Sequence, residues 1–354
     1  MQDIFRFAPS WELFPQTCSG WDVGGWIQMG YHTEGANGFG TGLFNNYPNV
    51  VQLQQAWMYL EKEADTSGCG WDWGFRFDYV YGTDGIDTQA YGSEPGDWDR
   101  TWNAGGHYGH AFPQLYAEVA YNDLKVKVGH FYTIMGYEVV PAPDNFFYSH
   151  AYTMTLAEPF THTGALAEWA PCEGLTFYGG WTQGWDTGYS DYHGATFLGG
   201  VSAELIDGLS VTYTTTMGDF GFGPGGSDSN GYSHSVVVDW SITDRVNYVF
   251  QTDYVDNRLL VGNAIGAPNT GKTWGINQYL LYTVNDCWAF GSRFEWFSFG
   301  GYEMSEFTLG MNISPHSNLV IRPEVRLDAF EPGVLTLLGL QDSTVFGIDA
   351  IITF

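Results

Sequence analysis

Arg322, Glu324, Arg326 and Asp328 alternate along the chain with Ile321, Pro323, Val325 and Leu327. On an extended strand residues two apart share a face, so the four charges point one way and the apolar residues the other. Arg293 and Glu295 are set in the same way against Trp288, Phe290, Phe294 and Trp296. Asp72, Arg76 and Asp78 face away from Trp71, Trp73, Phe75, Phe77, Tyr79 and Tyr81. Carboxylates and guanidiniums spaced like this suit the ionic lining of a water-filled passage, where acidic rings raise the local cation concentration. They do not suit catalysis. No G-x-S-x-G elbow, P-loop or H-E-x-x-H occurs. With 40 acidic residues, chance carboxylate pairs are expected, and none stands out for glycoside hydrolysis. His107 and His110, or His150 and His162, lack a compelling third ligand, so structural or solvated histidines are favoured over a zinc site. The chain reads as a non-enzyme without a required cofactor.

Period-two alternation runs almost throughout. It predicts sixteen strands (14–18 is the range), near 20–32, 50–63, 69–82, 112–122, 124–131, 160–170, 174–185, 194–205, 208–218, 230–242, 245–256, 272–284, 286–299, 303–313, 318–328 and 343–354. After the first strand, long connections alternate with short ones rich in Asp, Asn, Gly or Pro, the usual turn residues. The seventh long connection is the exception, little more than Gly300-Gly301-Tyr302. This is the pattern of an all-β, up-and-down, antiparallel transmembrane β-barrel with turns on the periplasmic rim and loops outside. A large soluble β-protein would also alternate. The polar second face, the aromatics at strand ends and the alternating loop lengths favour the barrel.

Composition narrows the function. The 354 residues carry 12 Lys+Arg against 40 Asp+Glu, a net charge of −28, so there is no basic stripe for nucleic acid. Hydrophobic content of 44% and aromatic content of 18% exclude disorder. The 47 glycines follow no collagen period, and no apolar run is long enough for a membrane helix. No signal peptide is visible, so export implies that this is the mature form.

Strand parity assigns Asp22, Asp72, Asp78, Glu118, Glu168, Asp239, Asp253, Glu295, Glu306, Glu324, Asp328 and Asp349 to the lumen, with Arg76, Lys125, Lys127, Arg293, Arg322 and Arg326. Twelve acids against six bases predict mild cation preference. The long connection 132–159, with Glu138, Asp144, Glu158 and the run Phe146-Phe147-Tyr148, is the expected constriction. It is expected to fold inward rather than outward as a lid or onto a neighbouring subunit. Its carboxylates are expected to face Arg76, Arg322 and Arg326 and set up a transverse field. Residues 20–354 form the barrel, while 1–19, through Trp11, Leu13, Phe14 and Pro15, either dock on the periplasmic rim or lumen or stay disordered.

Asp84, Asp87, Glu94, Asp97 and Asp99 lie in an acidic loop, opposed only by Arg100. A solvated loop is favoured there over Ca²⁺ binding, since no EF-hand spacing is present. Cys18, Cys69, Cys172 and Cys287 all fall on the short-turn rim. Cys18 and Cys69 could form a disulfide, while Cys172 and Cys287, about seven strands apart, stay free or bridge to another chain.

The stretch from Val128 to Val139, together with Phe146-Phe147-Tyr148-Ser149 and Pro159-Phe160-Thr161-His162-Thr163-Gly164, resembles a motif of the OmpL-like β-barrel porin family of planctomycete-type bacteria. The match covers about 128–164, and the rest agrees in architecture. The terminal Phe354 closing an alternating strand resembles the C-terminal signature of bacterial outer-membrane barrels. The resemblance implies an outer-membrane porin with undefined substrates.

The reading is a passive, mildly cation-selective porin for small hydrophilic solutes. Its partners would be the lipid bilayer, a lipopolysaccharide-type outer leaflet and, by analogy with sixteen-stranded porins, two further copies in a homotrimer. One alternative is a substrate-selective channel in which Trp26, Tyr116 and Tyr178 stack on carbohydrate. Another is a surface β-rich binding or structural protein.

Overall fold

A strand with one aromatic and one ionic face cannot bury both in a single core. Curling the sheet until its edges meet gives the ionic face a wet interior and removes the open edges. The computed structural model describes residues 12–14, 20–35, 44–65, 70–90, 98–189, 194–221, 229–257, 271–331 and 341–354. It shows such a closed barrel. The strands are β1 (Asp22–His32), β2 (Gln52–Lys62), β3 (Trp71–Gly82), β4 (Tyr108–Tyr121), β5 (Leu124–Tyr132), β6 (Thr161–Cys172), β7 (Leu175–Thr182) and β8 (Ala195–Ile206). They continue as β9 (Leu209–Asp219), β10 (Asn230–Thr243), β11 (Val246–Asp256), β12 (Lys272–Asn285), β13 (Trp288–Phe299), β14 (Tyr302–His316), β15 (Leu319–Phe330) and β16 (Ser343–Thr353). Each is antiparallel to its sequence neighbours, and β16 returns to β1, with Trp26 opposite Thr353 and His32 opposite Gly347.

All sixteen expected strands are present. β4 starts at Tyr108 rather than near 112, because Tyr108 and His110 pack on Tyr81 and prolong the hairpin. The tight turns use left-handed backbone where it is needed, at Asn122 (φ 49°) and Gly208 (φ 75°).

Burial follows parity. Trp73, Phe294, Leu309 and Phe346 are exposed on the outer face, while Arg293, Glu295, Arg326 and Asp349 are buried inside. A phase slip occurs in β2. Gln28 pairs with Gln55 but Met29 with Leu53, leaving Gln54 as an extra, bulged residue. Gln54 and Gln55 are both buried.

The long connection between β5 and β6 does not project from the barrel. It crosses the lumen, carrying a short 3₁₀ turn (Ala142–Asp144) and one helical turn, α1 (Tyr152–Leu156). Two wall glycines show how closely it lies. A Cβ on Gly310 would sit 2.8 Å from Phe147, and one on Gly347 would sit 2.9 Å from Tyr148. The loop aromatics therefore nest on bare backbone.

Leu309, midway along β14 and facing outward, is expected to cost about 2–4 kcal/mol when replaced by Arg. Urea unfolding from lipid vesicles measures this, and an unchanged midpoint would contradict a lipid-facing position.

Candidate functional site

Irregular backbone inside a lumen leaves N–H and C=O groups that need partners. The wall supplies them in sequence order. Arg322 holds Asp349 with two bonds (3.0 and 2.5 Å) and donates from Nη1 to the carbonyls of Ala142 (2.9 Å) and Asn145 (2.6 Å). Glu324 accepts the amides of Tyr148 (2.9 Å) and Ser149 (3.1 Å). Arg326 pairs with Asp328 (2.7 Å), donates to the His150 carbonyl (2.6 Å) and lies 4.7 Å over the Tyr152 ring. Asp328 accepts the Tyr152 hydroxyl (2.7 Å). The four alternating charges of β15 thus bind the loop stepwise from 142 to 152.

β13, two strands away, adds two more anchors. Arg293 joins Glu306 (2.5 Å), Glu138 (2.6 Å) and the Ser149 carbonyl (2.7 Å). Glu295 accepts the amides of Tyr152 and Thr153, both at 2.6 Å.

Strands further round on either side hold the loop with amides. Gln55 accepts the Ala142 amide (3.1 Å) and donates to the Val140 carbonyl (2.9 Å). Gln251 ties both loop ends. Its carbonyl accepts the Tyr137 amide (3.2 Å), and its Nε2 donates to Glu158 and to Asp253 (2.6 Å). Gly136 (φ 83°) gives the Glu158 carboxyl the space a side chain would fill.

The two loop glutamates differ electrostatically. Burial pushes the Glu138 carboxyl up, but Arg293, His150 and the Ala151 amide overcome it and hold the pKa at about 2. Glu158 has no such cation. Burial pushes it well above the usual range, Asp253 adds to the push, Gln251 opposes it, and Glu138 and Glu295 raise it further.

The loop leaves a slot of about 200 Å³ against β3–β5, bordered by Arg76, Gln114 and Tyr132 on the wall side and by Val139, Asp144 and Phe160 on the loop side. Arg76 is tied to Asp78 (2.5 Å) and Glu61, and its guanidinium lies 4.5 Å over the Tyr59 ring. Asp144 is exposed, and its carboxylate has no partner among the described residues. Above the slot, an outer chamber of about 330 Å³ shares Glu158 and Phe160 with it. At the turn rim, a chamber of about 760 Å³ opens between Phe146 and the turns carrying Asp207, Asp244 and Asp286.

The expected constriction set divides. Arg76 and Asp144 border the slot. Arg322 and Arg326 do not face open space. They are 3% and 0% exposed, beneath the loop, because its carbonyls and the neighbouring carboxylates take up their donors. Glu138 and Glu158 reach the slot edge but are buried and bonded. Of the expected wall set, Arg293, Glu295, Glu324 and Asp328 serve as loop anchors. Asp78 is buried against Arg76. Asp72 pairs with Lys62 (3.1 Å) at the turn rim, and Glu118 accepts the Ala64 amide (2.7 Å). Lys125 lies opposite Glu168, and Glu118 opposite Lys127, on the half of the wall away from these anchors.

Sequence reasoning missed Glu61, Gln55, Gln251 and Tyr132. Only the pairing of Glu61 with Arg76 across the β2–β3 register offered a signal. Asp84 and Asp99 are buried and Asp87 is half-buried, and each is hydrogen-bonded, as when Asp99 accepts the amides of Ala90 (2.9 Å) and Phe112 (2.8 Å). Glu94 and Asp97 lie outside the described residues, as do Cys18 and Cys69 with their expected bridge. So does the N-terminal segment apart from residues 12–14, where Leu13 and Phe14 are exposed. Cys172 and Cys287 are free thiols.

A closed sixteen-strand barrel with an aromatic outer face and an ionic lumen crossed by its third loop defines a bacterial outer-membrane channel of the porin class. The chain belongs to the family described as "Putative beta-barrel porin-2, OmpL-like", whose model matches residues 20–354. Its fold resembles the outer membrane channel DcaP of Acinetobacter baumannii (10% identity, 96% of this chain and 99% of that one, TM-score 0.62). It also resembles an anion-selective porin from Comamonas acidovorans (10%, 94% and 99%, 0.64) and OmpT of Vibrio cholerae in a trimer form (11%, 94% and 99%, 0.58). At these identities the likeness is one of fold. No curated protein matches the sequence. Family and fold describe a channel rather than an enzyme.

Two outcomes follow from the anchors. Arg293→Ala leaves Glu138 and Glu306 buried without their cation, a cost of about 3–5 kcal/mol. The loop is then expected to leave the wall, and single-channel conductance should rise; an unchanged conductance would refute its anchoring role. Because the seated state raises the Glu158 pKa, its contribution to seating is full below the free carboxyl value of ~4.3. That contribution falls as pH rises toward the raised value and is lost above it. Loop-closed dwell times should therefore shorten from pH 5 to 9, and Glu158→Gln should flatten the profile.

Proposed function

We propose that the protein is a passive diffusion pore for small hydrophilic solutes with a mild preference for cations. One observation carries the preference. Among the described residues Arg76 is the single base at the slot, and its partners Glu61 and Asp78 together with the unpartnered Asp144 outnumber it. Asp144 is exposed at the slot; burial raises its pKa and the charge of Arg76 opposes that rise. The Comamonas relative of the fold is anion-selective, so the sign of selectivity must come from local side chains rather than from the barrel. A homotrimer in a lipopolysaccharide-containing membrane is part of this reading, supported by the trimer form of OmpT.

The carbohydrate reading has less support. Trp26 stacks on Trp57 at 4.7 Å and is buried, so a sugar cannot reach its face.

Reversal potentials in planar bilayers across a KCl gradient test the proposal. One charge at ~5 Å in water is worth about 0.8 kcal/mol. Asp144→Asn should thus lower K⁺ permeation about fourfold and raise that of Cl⁻ by a similar factor, so that their ratio falls about tenfold or more, while Asp239→Asn, on another part of the wall, should change it little. An anion-selective wild-type pore would overturn the reading.

A further inference from the structure

The slot combines polar groups with a continuous apolar stretch. Opposite Arg76, the loop presents Val139, Val140, Pro141, Met154 and Phe160. Its volume, about 200 Å³, is that of about seven liquid waters. A hydrated potassium ion gains from the carboxylates of the slot but nothing from its alkyl groups. A small organic cation gains there, because its apolar part covers apolar wall while its charge stays near the carboxylates.

A second observation concerns Tyr132. Its hydroxyl is buried at the slot and has no hydrogen-bond partner among the described residues. Its neighbour Gln114 is already engaged, donating to Asp78 (3.1 Å). A buried, unsatisfied hydroxyl costs free energy unless a passing group satisfies it. A hydroxyl oxygen can accept from an ammonium, and the rings of Tyr132 and Phe160 offer faces to a cation. Asp144 supplies the opposite charge from the loop.

The geometry points to the slot as a selective binding site for small primary-amine cations with a short apolar chain. This rests on the cation-preferring pore proposed above and names the solute class it favours. The amine lies with its ammonium toward Asp144 and the Tyr132 hydroxyl and its chain along Val139, Pro141 and Met154. Passage becomes a brief occupancy rather than free diffusion, since a site that binds must also release.

Single-channel K⁺ current with n-butylammonium, butyrate or n-butanol added in turn tests the site. Butylammonium is expected to interrupt the current at concentrations where the other two do not. Tyr132→Phe removes a hydroxyl that bonds nothing in the protein, so the fold should be kept. It should raise the half-blocking concentration about fivefold, the worth of one net hydrogen bond. Val139→Ser, at an exposed loop position, should weaken the block while leaving the K⁺/Cl⁻ ratio unchanged. A K⁺-preferring pore that butylammonium blocks no better than butanol overturns the inference and leaves the cation-selective reading standing. So does a block that both variants leave intact. An anion-selective pore overturns both.

Discussion

The structure depends on one exchange: charged wall side chains serve as hydrogen-bond partners for irregular backbone that must lie in the lumen. A loop crossing a barrel has neither a ladder of its own nor, where it presses on the wall, free water. Arg322, Glu324, Arg326 and Asp328 answer its carbonyls, amides and one hydroxyl in order. The alternating signs match the alternating needs of a backbone, since guanidiniums donate and carboxylates accept. Removing one partner leaves a buried charge, so the assembly is held together by the cost of breaking it as much as by the bonds themselves.

The same device recurs at the outer mouth without cations. Asp186 accepts the amides of Phe160 (2.6 Å) and Thr161 (2.9 Å), fixing the point where the lumen loop rejoins the wall. Burial lifts its pKa to about 7 against those amides, and Asp99 is lifted to about 7 in the same way. Several of the acids counted in the formal charge of −28 are therefore structural: they are buried and bind backbone instead of forming a uniform acidic surface.

The fold was legible because period-two alternation is local: each strand declares its own faces without reference to the others. The bulge at Gln54 was not, since nothing in a run of glutamines marks which one is extra. Parity placed Arg322 and Arg326 on the correct face. It could not say what occupies that face, and residues 142–152 do. Loop length and position pointed to 132–159, yet only tertiary packing separates Asp144, which remains open, from Glu138, which Arg293 captures. Gln251 and Gln55 carried no signal at all, because an uncharged amide on a lumen strand looks like ordinary wet wall.

It follows that a count of lumen charges is a poor measure of selectivity. Twelve acids against six bases by parity suggested an acidic pore. Glu295, Glu306, Glu324, Asp328 and Asp349 are each 4% exposed or less, and the bases Arg293, Arg322 and Arg326 lie buried beside them. Fields from such pairs cancel over a short distance, and the loop stands between most of them and the solute path. On the proposed reading a permeating ion meets the smaller set around Arg76, where two carboxylates hold one guanidinium and Asp144 borders the slot. The cation preference proposed here has the same sign as the parity count, but it rests on a local imbalance beside the slot, which a change of one loop residue can alter without disturbing the barrel.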